Sequence, residues 1–175
     1  QIASEFSNFA GEPTPRPEPV DVAALLRTVI DPYRQGLASR VRFDIALPAH
    51  LPSVWADRTL LARAFTNLVE NAVQAMPEVG HLAIQGEAGA THLTLRLVDT
   101  GVGMDEDAQA RAFEPFFSTK TGGSGLGLAN ARRNIEVGGG SVTIESAPGR
   151  GTTVTVILPL ASDPDETAVG PAPSR

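Results

Sequence analysis

The chain has 175 residues, 42% hydrophobic and 19% charged, enough for one ordinary core and too few for two comfortable ones. A net charge of −6, a pI near 5.0 and the lack of any lysine or arginine cluster argue against a nucleic-acid platform. With no cysteine there is neither a disulfide scaffold nor a thiolate metal site, and no apolar run approaches the roughly twenty residues of a bilayer-spanning helix.

The chain opens on Gln1 rather than Met, as expected of a piece of a longer protein. In residues 1–10, Ile2, Phe6 and Phe9 fall on one helical face, and the segment reads as the end of a longer helix, since so short a helix is marginal alone. Gly11 stops it. Pro13, Pro15, Pro17 and Pro19 then alternate through residues 11–19, an extended linker. Asp21 is placed to cap a helix carrying Val22, Leu25, Leu26, Val29 and Tyr33 at helical spacing, which Pro32 is expected to kink or end. Residues 41–47 alternate Val41, Phe43, Ile45 and Leu47 with Arg42, Asp44 and Ala46, a strand with one wet face, and a short strand is expected at 53–56.

Asp57 is the expected N-cap of a helix running to Met76, closed by Pro77. Leu61, Ala64, Phe65, Leu68, Ala72, Ala75 and Met76 form its apolar face, while Arg63, Asn67 and Asn71 step by four along another, flanked by Glu70 and Gln74. Asparagine is a mediocre helix former, so this stripe suggests work for the side-chain amides, the alternative being a solvated polar face.

Residues 82–87 and 93–99 read as two strands joined by Ala88-Gly-Ala-Thr91. Leu93, Leu95 and Leu97 alternate with Thr94 and Arg96, so Asp99 emerges at the C-terminal end of the second strand. Gly101 and Gly103 are expected to turn the backbone at positive φ and leave it bare beside a flat ligand. A carboxylate beside bare backbone suits an exocyclic amine. Asp-Thr-Gly is equally an ordinary turn, and Leu-Val-Asp-Thr-Gly also matches the catalytic turn of aspartic proteases, which would require a second such carboxylate or a symmetric dimer.

A short helix is expected over 105–112. Phe113-Glu-Pro-Phe-Phe-Ser-Thr-Lys120 follows, where Phe116 and Phe117 can fill core and Lys120 suits a phosphate. Gly122-Gly-Ser-Gly-Leu-Gly-Leu128 then opens a helix over 129–137, an arrangement that presents N–H groups and a positive dipole end to phosphate. It neither follows a strand directly nor ends in Gly-Lys-Ser/Thr, so it is not a dinucleotide-fold or P-loop signature. Gly138-Gly-Gly140 ends that helix, strands follow at 141–146 and 152–158 around the turn Pro148-Gly-Arg-Gly151, and residues 161–175 read as a disordered tail.

The ordered set Asn67-Leu-Val-Glu-Asn-Ala-Val-Gln-Ala-Met76, Asp99-Thr-Gly-Val-Gly-Met104, 113–120 and Gly123-Ser-Gly-Leu-Gly-Leu128 resembles the N, G1, F and G2 boxes of the catalytic ATP-binding domain of two-component sensor histidine kinases. The resemblance covers roughly residues 19–160. Glu5-Phe-Ser-Asn-Phe-Ala10, the proline linker, Asn71-Ala-Val-Gln-Ala-Met76 and the short lid before Gly125 look like those of nitrogen-regulation sensor kinases.

The resemblance implies the end of a dimerisation and phosphotransfer helix at 1–10, a linker at 11–19, the catalytic domain at 20–160 and a tail at 161–175. It implies a two-layer α/β sandwich, a mixed and mainly antiparallel sheet with helices on one face. Asn71 would coordinate Mg²⁺ with Asn67 in support, and Asp99 would accept from the adenine N6 amine of ATP. Gly101 and Gly103 would let backbone approach the base, Lys120, Ser124, Gly125, Leu126 and Gly127 would hold phosphate, and Thr153 would complete the nucleotide contacts. Glu70 would reach the metal through water or face solvent.

Related gyrase-type and mismatch-repair ATPases carry a hydrolytic glutamate where this chain has Asn67, which implies weak hydrolysis and transfer to a protein histidine. His50, His81 and His92 are each followed by leucine and are expected at the surface or strand edges, so the acceptor would come from a phosphotransfer domain outside this chain, serving a response regulator. The parent would be a homodimer, and this piece its cytoplasmic portion, touching neither nucleic acid nor membrane. A stand-alone ATPase, a serine kinase of the same superfamily and a nucleotide-binding module of little activity are the alternatives, with an aspartic protease more remote. Asn130 and Asn134 stand where the family usually has apolar residues and Gly138 where histidine is common, which puts the packing of that last helix in doubt.

Overall fold

The computed structural model describes residues 14–119 and 123–162. The helical end at 1–10, Lys120, Gly122 and all but the first two residues of the 161–175 tail lie outside the described residues. The elements are β1 (Glu18–Val20), α1 (Val22–Gly36), β2 (Val41–Ala46), β3 (Val54–Ala56), α2 (Arg58–Gln74), β4 (Gly80–Ala88), β5 (His92–Asp99), α3 (Glu106–Arg111), α4 (Gly127–Val137), β6 (Ser141–Ser146) and β7 (Thr152–Pro159).

Five strands form one sheet in the order β2-β4-β5-β7-β6, with β2 and β4 parallel and every other pair antiparallel. The parallel pair is joined through α2, which packs on the sheet beside α4. Strand parity assigns the two faces. Leu82, Ile84, Leu93, Leu95, Leu97, Val154, Val156 and Leu158 point at the helices and are buried with Leu26 and Ile30 of α1, Phe65 and Leu68 of α2 and Ile135 of α4. The opposite face is polar, with His81 bonded to Asp44 across β4 and β2 at 2.7 Å and Arg42 paired to the same carboxylate at 2.9 Å. This is the two-layer α/β sandwich with a mixed, mainly antiparallel sheet that the sequence led us to expect.

Local capping fixes the helix starts. Asp21, Asp57 and Asp105 each accept the N–H three residues on, from Ala24, Leu60 and Ala108. Pro32, expected to kink or end the first helix, does not end it: it sits inside α1, which continues to Gly36. One missing N–H costs a bond, but Val22, Leu25, Leu26 and Ile30 are buried before it and the Tyr33 carbonyl takes the Leu37 N–H after it, so packing on both sides outweighs that loss.

The linker reading of 11–19 also changes at its end. Residues 18–20 form β1, paired with β3 as Glu18↔Ala56, Pro19↔Trp55 and Val20↔Val54, and Val20 is wholly buried. A two-stranded edge tolerates proline, and the apolar Val20 supplies the driving force. The doubt over α4 is answered by its inward residues: Ala131 and Ile135 carry the core contact, while Asn130 and Asn134 turn to the cleft described below.

Asp57 joins three parts of the fold, accepting from Arg16 N at 2.9 Å through Oδ2 and from Leu60 N at 3.0 Å through Oδ1. Burial would raise its pKa, but the N–H donors of Arg16, Leu60 and Thr59 and the charge of Arg63 outweigh it and hold the carboxyl below its ordinary 3.8. A depressed folded-state pKa stabilises above the unfolded value and is lost as pH falls through the folded one. We therefore expect Asp57→Ala to lower the unfolding free energy in a urea titration by about 1–2 kcal/mol at neutral pH, with the deficit shrinking below about pH 4.

Candidate functional site

A cleft of about 1870 Å³ opens between α2, the turn after β5, residues 112–119 and 123–128, and α4. It is larger than the roughly 300–1,000 Å³ usual for one small ligand, so one such ligand would occupy only part of it.

The α2 wall follows from the helical period. Leu61, Phe65, Leu68 and Ala72 take the core side, which turns Asn67, Glu70, Asn71 and Gln74 to the cleft, with both asparagines half-buried. Glu70, left open between metal and solvent from sequence, accepts the Tyr33 hydroxyl at 2.9 Å and so ties α1 to α2 beside Asn71. Burial first, then the hydrogen bond to Glu70 and its negative charge, push the Tyr33 phenol from 10.0 up to about 12.

The opposite wall is the turn after β5. Asp99 is 4% exposed and its Oδ1 accepts from Gly101 N at 2.8 Å and Thr152 N at 3.2 Å. The turn is held from two further sides, Val102 N donating to Ala75 O of the α2 C-terminus at 2.9 Å and Gly149 N donating to Val102 O at 2.7 Å. The cleft surface itself is made by Val102, Gly103, Met104 and Thr152, with the Asp99 carboxylate behind them.

The two glycines have different reasons, where one was expected. Gly103 alone has positive φ, +68°, and a Cβ there would lie 1.9 Å from the Ala147 carbonyl oxygen. Gly101 needs no left-handed backbone; its Cβ would meet Ala75 O at 2.6 Å, so it is small to let the turn lie against α2.

Thr153 is displaced from the site by one residue. Thr152 shares the inward parity of Val154, Val156 and Leu158 and lies opposite Asp99 in the register, whereas Thr153 pairs with Val98 and points to the other face. Alternation along β7 was the signal for this, since the side-chain period of a strand is two.

At the far end, Ser124, Gly125, Leu126 and Gly127 line the cleft where α4 begins, and Leu126, the N-cap residue, makes no side-chain capping bond. The first N–H groups and dipole of α4 thus face the same space as Asn67 and Asn71, an anion-attracting arrangement. Phe116 and Phe117 do not both fill core: Phe116 is 64% exposed at φ 66° with its N–H on Gly125 O, and Phe117 stacks against the Arg111 guanidinium, 4.3 Å from the ring centre. Lys120 is outside the described residues.

Among the described residues no three His, Cys, Asp or Glu side chains are grouped to hold a metal, and no helix is long and apolar enough to cross a membrane. His50 is exposed and His92 stands at the start of β5 with its ring on the Thr91 hydroxyl.

Residues 56–162 match the family model described as histidine kinase-, DNA gyrase B-, and HSP90-like ATPase. Nitrogen regulation protein NtrY of Azorhizobium caulinodans is 31% identical over 90% of this chain and 21% of its own length. Of solved structures, histidine kinase ThkA in complex with response regulator protein TrrA aligns with a TM-score of 0.78 and 25% identity, over 91% of this chain and 46% of that one. Full-length ShkA in complex with AMPPNP aligns at 0.75 and 29%, over 88% of this chain and 34% of that one. The chain spans roughly a quarter of the length of the curated relatives it matches.

Tyr33 is the one tyrosine of the chain, so phenolate absorbance reports on it alone. Its raised pKa contributes stability that is full below 10.0 and lost as pH rises through about 12. The absorbance should titrate far above 10.0 and move part of the way down in Glu70→Gln, burial keeping the rest; an ordinary midpoint in the unmodified protein would show that neither the burial of Tyr33 nor its bond to Glu70 persists in solution.

Proposed function

The chain belongs to the histidine kinase-, DNA gyrase B- and HSP90-like ATPase family and carries the catalytic ATP-binding module of a sensor histidine kinase, and from that we propose that it binds Mg-ATP and gives the γ-phosphoryl group to a histidine on a separate phosphotransfer domain. Residues 20–160 are the catalytic domain in this reading, joined through the linker at 11–19 to the helix end at 1–10. The parent kinase is a homodimer signalling to a response regulator, and this piece is its cytoplasmic part.

What carries the reading is the convergence of the Asn67–Asn71 stripe, the Asp99-anchored turn and the open N-terminus of α4 on one cleft. Asp99, with Gly101 and Gly103 shaping the turn, receives the adenine amine, and the amides of Ser124 to Gly127 together with Lys120 hold phosphate. The donor set suits magnesium: with no carboxylate cage among the described residues, the neutral Asn71 oxygen, supported by Asn67, would hold an ion whose other ligands are phosphate oxygens and water. Bound there, Mg²⁺ would neutralise charge developing on the phosphates. Transfer breaks the bond from the γ-phosphorus to the ADP oxygen and forms one to an imidazole nitrogen, and the protein's part is alignment and charge stabilisation. Asn67 cannot take a proton from water, so hydrolysis is slow and the acceptor is a protein side chain.

Calorimetry should find Mg²⁺-dependent ATP binding that weakens at least about tenfold in Asn71→Ala and in Asp99→Asn. Mixed with ATP and a purified phosphotransfer domain, the chain should label that domain with an acid-labile, base-stable phosphate. Tight binding in both variants would sink the site assignment, while rapid turnover to ADP by the chain alone would favour a stand-alone ATPase.

A further inference from the structure

Three strands end at the same level behind the base end of the cleft. Asp99 of β5 lies opposite Thr152 of β7, and Thr152 lies opposite Ser146 of β6. The Ser146 hydroxyl makes three contacts: it receives Met104 N–H at 2.8 Å, reaches the Gly151 carbonyl at 3.0 Å and sits 2.7 Å from the Thr152 hydroxyl. The Ser146 backbone N–H is fixed in turn by Gln109 Oε1 at 2.8 Å.

Counting protons settles the direction of that last contact. Met104 N–H can only donate and the Gly151 carbonyl can only accept, so the single Ser146 proton goes to Gly151. Two hydroxyl oxygens at 2.7 Å need one proton between them, and Thr152 must then supply it. Thr152 has already given its backbone N–H to Asp99. Both of its protons are therefore turned into the protein, and its side chain, 6% exposed in the cleft wall, offers lone pairs alone.

We propose that Ser146 is a positioning residue that selects the base, acting through Thr152 to make the wall beside Asp99 a hydrogen-bond acceptor. This rests on the reading of the cleft as a nucleotide site and adds the cause of its base preference. A purine with an exocyclic amine brings donors to these acceptors, whereas a 6-oxopurine sets its own carbonyl lone pairs against them. Without the Ser146 oxygen, the Thr152 hydroxyl loses its inward acceptor and is released to turn its proton to the cleft, where it meets a 6-oxo group.

The test measures binding of ATP and of inosine triphosphate, with Mg²⁺, to the 175-residue chain by calorimetry. The unmodified chain should prefer ATP, and Ser146→Ala should reduce the ATP-to-ITP affinity ratio by about tenfold. In a Thr152→Val background, Ser146→Ala should leave the ratio where Thr152→Val puts it, because Ser146 acts through that hydroxyl. Ser146→Cys keeps a polar side chain of weaker hydrogen-bonding power and should give an intermediate ratio, which serves if the alanine variant does not fold. A ratio unchanged in the serine variants, with both nucleotides weakened alike and the melting temperature lowered, would make Ser146 purely structural and overturn the proposal, as would an equal effect in both backgrounds. If the unmodified chain binds neither nucleotide, the reading of the cleft itself fails.

Discussion

The cleft wall that follows β5 depends on one buried carboxylate oxygen. Asp99 Oδ1 holds Gly101 N–H of its own turn and Thr152 N–H of the neighbouring strand. Hydrogen bonds to a charged acceptor contribute about 1.5–3 kcal/mol each, and the same low-dielectric setting makes their loss costly. Because the turn also hangs on Ala75 at the end of α2 and on Gly149 in the β6–β7 turn, that oxygen fixes the relative position of strand, helix and hairpin. The glycines follow from this constraint, since a side chain at 101 would push α2 away and one at 103 would strike the Ala147 carbonyl.

The two ends of the cleft are built differently. The Asp99 wall rests on β5 and β7, backed by the contact of Thr152 with Ser146 on the edge strand β6. The opposite wall holds Phe116, whose N–H is on Gly125 O, Phe117 against Arg111, and the start of α4. The Tyr33–Glu70 bond ties α1 to α2 beside Asn71.

Much of this was legible in the residues, and the misses have separate causes. Gly101 was read as a turn glycine because the sequence shows no sign of the Ala75 carbonyl 2.6 Å from where its Cβ would be. Glu70 was ambiguous because its partner is 37 residues earlier, on a helix whose continuation past Pro32 depends on packing. Thr153 is different: the parity of Val154, Val156 and Leu158 already put Thr152 on the cleft side and Thr153 on the other face.

By itself the sequence determined the local features: the caps at Asp21, Asp57 and Asp105, the faces of α2, the alternation of β4, β5 and β7, and the ordered boxes that mark the family. Each is written within a few residues, since a cap bond spans three positions and a strand repeats every two. The tertiary structure alone decided that residues 18–20 pair with 54–56, that α1 runs through Pro32, that Tyr33 holds Glu70 and that the Ser146 and Thr152 hydroxyls meet. Those outcomes join residues distant in the chain and rest on burial and proton inventory at the point of contact, neither of which any short stretch of sequence contains.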